Sequence, residues 1–117
     1  MGILRALFAG VAAKLDAIKE VKSLVAEIDT QEKTVEDLRF KRDQAKFDVG
    51  IQEATLYLKL KDAAEKISDT YVDAKVDMDE TTQKLRVAVI DAEHDYKVAL
   101  IELTRLYNSL SAKKLEV

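Results

Sequence analysis

A chain of 117 residues has room for one domain. With no proline and only three glycines it lacks the turn residues that a β-sandwich or a doubly wound α/β fold needs, while 35% charged residues point to long helices. The absence of cysteine excludes disulfides, thiolate metal sites and cysteine nucleophiles, and a net charge of −3 with interspersed signs contains no basic block for nucleic acid.

The first segment is periodic. Leu4, Phe8, Val11, Leu15, Ile18, Val21, Val25 and Ile28 recur mostly three and four apart, which is one apolar stripe on a helix. The short apolar stretch of residues 6–13 makes a poor secretory signal, because the periodicity runs through it. No run reaches the ~18 apolar residues of a membrane span. Residues 2–25 are nevertheless amphipathic, with Arg5, Lys14, Lys19 and Lys22 beside the bulky aliphatics. Interfacial membrane helices share that pattern, and so does any bundle helix. Sequence alone leaves the compartment open.

The stripe continues to Val35 and Leu38 and then weakens, with Arg42 and Ala45 at the next positions and Phe40 and Phe47 on a neighbouring line. Gly50 is the one interior glycine after residue 10, and glycine supplies the left-handed residue that ends many helices. It is the expected point of reversal. Asp29 with Glu32 fits a capping box and offers an additional break. Ser68, Asp69 and Thr70 are also good N-cap residues, although the heptad passes through them without a slip.

From Tyr57 onward, Leu60, Ala64, Ile67, Tyr71, Ala74, Met78, Thr81, Leu85, Ala88 and Ala92 alternate three and four apart, and Tyr96, Ala99, Leu103, Leu106 and Leu110 extend the series. Beside it lies a second stripe of Val72, Val76, Val87, Ile90, His94, Val98 and Ile101. Across residues 85–107 both stripes are apolar together. One partner helix covers only a narrow seam, so this part of the chain requires two or more neighbours, some supplied by other chains. Leu85, Ile90, Tyr96, Ala99, Leu103 and Leu106 are the expected packing and interface residues.

Together these signals predict an all-α chain forming a single coiled-coil domain over residues 1–117, a long antiparallel helical hairpin reversing near Gly50. The alternatives are a three-helix bundle with an added break near Asp29 and one nearly continuous helix in an intermolecular coiled coil.

No constellation carries chemistry. His94 has Asp91 and Asp95 within about a turn, but Ser109 and Ser111 lie about four turns away and no oxyanion donors accompany them. One histidine does not supply the paired Glu-x-x-His motifs of a di-iron bundle. The acidic run "SDTYVDAKVDMDE" leads into no calcium-binding loop, because "DMDETTQKLRVA" begins Asp-x-Asp but lacks the glycine at the sixth position and the glutamate at the twelfth. Its Asp69, Asp73 and Asp77 repel along one face, and the expected relief comes from Lys33, Lys41, Arg42 and Lys46 across a reversal at Gly50. The sequence therefore reads as a non-enzymatic structural or interaction protein without a cofactor. Its expected partners are further copies of itself or other helices, with a membrane surface engaged through residues 2–25 as the alternative.

Two stretches carry a resemblance. "FDVGIQEATLYL" (47–58) resembles the hairpin tip of the periplasmic helices of TolC-type outer-membrane efflux proteins, and "AEHDYKVALIELTRL" (92–106) is similar to their returning helix. The resemblance implies that Phe47 and Gly50 form a tip facing an adaptor protein and that the heptads pack into a helical tunnel. Nothing in the chain resembles that family's transmembrane strands, so no complete channel is encoded.

Overall fold

The computed structural model describes residues 2–63 and 67–117, which are all-α: α1 (Gly2–Ala63), α2 (Asp69–Met78) and α3 (Glu80–Lys114). The chain clusters into two compact units, Met1–Glu36 with Val98–Val117 and Asp37–Lys97, so α1 and α3 each contribute to both.

Helix α1 forms because nothing in it stops a helix. It has no proline, and its exposed positions are rich in Lys, Glu, Gln and Ala. Local pairs one turn apart support it, such as Asp29 with Lys33 (3.4 Å) and Gln44 with Asp48 (3.0 Å). The chain does not reverse at Gly50, and it does not break at Asp29. Gly50 has no positive φ and sits on the exposed side of α1, inside a helix that continues for thirteen more residues. A glycine ends a helix only where the following chain gains by leaving it. Here Val49, Gln52 and Leu56 continue the inward-facing series, and their packing outweighs the ~1 kcal/mol that glycine costs in a helix. The tip implied at Phe47 and Gly50 is therefore mid-helix.

The reversal lies between Ala63 and Asp69. Ser68 caps α2, its hydroxyl accepting from the Tyr71 N–H at 3.2 Å. Ala64 of the predicted stripe lies outside the described residues.

In the unit Asp37–Lys97, α1 turns Leu38, Arg42, Ala45, Val49, Gln52 and Leu56 inward at alternating spacings of four and three. The facing residues are Val72 and Val76 of α2, then Thr82, Leu85, Val89, Ala92 and Tyr96 of α3. The pairing is antiparallel: Tyr57 meets Asp69, Glu53 meets Arg86, and Lys46 meets Glu93. In the unit Met1–Glu36 with Val98–Val117, Ala17, Val21, Leu24, Ile28, Gln31 and Val35 face Ala99, Leu103, Leu106, Leu110 and Lys113. Gln31 donates to the Ala99 carbonyl (3.0 Å), Tyr107 donates to Glu32, and Lys113 pairs with Glu20 (2.6 Å), again antiparallel. A two-helix seam buries little. The largest fully buried side chains among the described residues are Val72 and Thr82.

Candidate interaction surfaces

The polar fittings of the unit Asp37–Lys97 hold α2 and α3 on α1. Asp79 leaves α2 with extended backbone and caps α3, its Oδ2 accepting from the Thr82 N–H (2.9 Å) and hydroxyl (3.0 Å). The Thr82 backbone N–H, foremost, holds the Asp79 carboxyl below its usual range. Arg86 bridges Glu53 of α1 (3.0 Å) and Asp77 of α2 (2.8 Å). Lys61 and the Tyr57 hydroxyl both donate to Asp69, and these hydrogen bonds lower the Asp69 carboxyl and raise the Tyr57 phenol. Farther along, Lys46 binds Glu93 (2.9 Å) and depresses it, and the Arg42 guanidinium lies 4.5 Å over the Tyr96 ring.

Relief of the acidic run thus comes from Lys61 and Arg86 rather than from Lys33, Lys41, Arg42 and Lys46. Moving the reversal from Gly50 to the segment after Ala63 shifts every cross-helix pair. Lys33 instead pairs along its own helix with Asp29, and Arg42 with the adjacent Asp43.

The kink at Asp79 also resets the helical phase. Of the two predicted stripes in α2, the second is the buried one: Val72 is fully buried and Val76 nearly so, while Tyr71 and Met78 of the first are exposed. After Asp79 the first stripe turns inward, with Thr82 in place of Thr81 and Val89 in place of Ala88. Leu85, Tyr96 and Leu103 are half-buried and Ala99 and Leu106 are buried, so five of the predicted interface residues belong to the chain's own seam. Ile90 does not.

Ile90 belongs to an outer stripe of α3, about half a turn from the seam. Val87, Ile90, His94, Val98 and Ile101 are all exposed, Ile101 at 71% and Ile90 at 64%. Charges of both signs, Asp91 and Lys97, flank this stripe. In the unit Asp37–Lys97, α1 has an outer line of its own in Phe40, Phe47, Ile51 and Leu58. The first fifteen residues of α1 are exposed throughout, including Leu4, Leu7, Phe8, Val11 and Leu15.

His94 sits exposed in the outer stripe. Among the described residues no three His, Asp or Glu side chains converge to hold a metal ion, and no helix is long and apolar enough to cross a membrane. One open groove runs along the seam between Glu20, Ser23, Leu24 and Glu27 of α1 and Ser109, Ala112 and Lys113 of α3. No protein-family model matches the chain, and no curated protein or solved structure matches it.

Proposed function

We propose that this chain is a non-enzymatic structural protein whose helical pairs self-associate through the outer face of α3. The observation that carries this reading is the apolar outer line of α3, Val87 and Ile90 in the unit Asp37–Lys97 and Val98 and Ile101 in the other unit. These four branched aliphatics are exposed on the side of α3 turned away from its seam with α1. Contiguous apolar patches on soluble monomers are usually small and often functional. Heptad spacing on both sides of a helix is what a multi-helix assembly uses, one side for the partner in the same chain and the other for a neighbour. The mixed-sign flanks, Asp91 and Lys97, suit a second copy, because each charge finds its opposite across a helix pair.

The test is sedimentation equilibrium from low to high micromolar concentration, on the wild type and on a double variant, Ile90→Asp with Ile101→Asp. Both positions are exposed, so the variant keeps its helical content. Wild type associates and the variant remains a monomer. A wild type that is monomeric throughout, or a double variant that associates equally well, overturns the proposal.

A further inference from the structure

The first four turns of α1 present a different problem from the outer face of α3. Lys113, in the last turn of α3, pairs with Glu20, and residues 2–16 of α1 are exposed throughout. The seam on α1 is formed by Ala17, Val21, Leu24 and Ile28, and on a helix of 3.6 residues per turn that line runs back past Ala13, Gly10 and Ala6, with Leu7 and Lys14 at its edge. Leu4, Leu7, Phe8, Val11 and Leu15 are centred roughly a third of a turn around the helix from that line. They form a separate apolar face, exposed along its length, with Phe8 at 69% and Leu7 at 63%.

Charge identifies the occupant. Residues 2–25 carry four cations and two anions, on a chain whose net charge is −3. Lys22 projects within the arc of the apolar face and Lys14 and Lys19 at its two edges, whereas Asp16 and Glu20 lie toward the opposite side, where Glu20 is bound to Lys113. A second copy laid against this face brings lysine to lysine with no acid on the face to answer them. An anionic lipid surface answers both features. Its acyl region takes the leucines and Phe8, and its headgroups take the lysines, whose stems reach outward from the apolar arc.

We propose that the first four turns of α1 dock flat into the interface of an anionic lipid bilayer, the face of Leu4, Leu7, Phe8, Val11 and Leu15 inserted and Lys14, Lys19 and Lys22 at headgroup level. This surface is separate from the α3 stripe, so the two proposals stand or fall independently.

Co-sedimentation of the full chain with vesicles of phosphatidylcholine alone, and with added phosphatidylglycerol, decides it. Wild type pellets with the phosphatidylglycerol vesicles. The double variant Leu7→Asp with Phe8→Asp loses partitioning by about tenfold or more while keeping its circular dichroism spectrum. Lys14→Gln with Lys19→Gln weakens it several-fold and flattens its salt dependence. Ile90→Asp with Ile101→Asp leaves partitioning unchanged. Three results overturn the proposal: no pelleting with anionic vesicles, equal pelleting with pure phosphatidylcholine, or no effect of the Leu7 and Phe8 substitutions on lipid binding. A loss of self-association by the Leu7/Phe8 variant in the absence of lipid also overturns it, because the face is then a contact between copies.

Discussion

Leu106 and Ile101 are five positions apart on α3 and similar in volume, yet they occupy opposite faces, at 4% and 71% exposure. Substituting each with alanine separates the seam from the outer stripe. Leu106→Ala removes three buried carbons, worth ~0.8 kcal/mol each, so the transfer loss alone is about 2.4 kcal/mol. The cavity term is small because a two-helix seam is open at its sides and can close over the gap, which places the total near 2–3 kcal/mol, the low end for such substitutions. At Ile101 the same arithmetic applies to less than a third of the side chain, roughly 0.7 kcal/mol, and alanine's higher helix propensity returns about half of it. Urea unfolding followed by circular dichroism at low micromolar concentration measures both. Leu106→Ala lowers the midpoint clearly, and its melting temperature falls by on the order of 10 °C, while Ile101→Ala stays near wild type. The reasoning fails if Ile101→Ala destabilises the dilute chain as much as Leu106→Ala, because α3 would then turn a different face to α1.

Two further outcomes follow from the reversal and its caps. Gly50 lies mid-helix without a positive φ, and an added Cβ meets nothing within 4 Å, so Gly50→Ala raises stability by about 0.5–1 kcal/mol in the same urea assay; a loss of stability returns the reversal to Gly50. Asp69 and Asp79 have folded-state pKa values below their ordinary 3.8, so the unfolded chain takes up protons first and stability is lost as pH falls through the folded values. Thermal melts decline between about pH 5 and pH 3, and Asp79→Asn, which keeps a capping oxygen but cannot titrate, gives a shallower decline; an unchanged slope shows that the Asp79 cap does not contribute.

The helical class and the seam of α3 were legible because an alternation of three and four over many turns has no other reading. The reversal was not. Gly50 is the conspicuous residue, but Val49, Gln52 and Leu56 around it are in phase with the seam, and the structure follows them. Ser68 and Asp79 carry the stops; Ser68 stands among the N-cap candidates, but a heptad running through it without a slip points away from a break there. Periodicity is also blind to which of two apolar stripes turns inward. In α2 the pair Val72 and Val76 turns inward, and Tyr71 and Met78 turn outward. One residue of extended backbone at Asp79 then rotates the phase, and the inward face changes stripe without any gap in the sequence pattern.

The same blindness explains the N-terminal stripe. Leu4, Phe8, Val11 and Leu15 read as the start of the line that continues through Ile28, because a helix of 3.6 residues per turn lets two faces a third of a turn apart share spacings of three and four. In the folded chain the line divides: Leu24 turns toward α3 while Val25, its neighbour, remains exposed. A stripe that drifts off the seam lies outside the face that the two helices share. It needs another surface, and what flanks it determines which kind. Mixed signs beside Ile90 and Val98 fit a copy of the chain, whereas lysines alone beside Phe8 and Leu15 fit a surface that is itself negative. The two faces therefore answer to different solution variables: protein concentration for α3, and lipid charge with ionic strength for the first turns of α1.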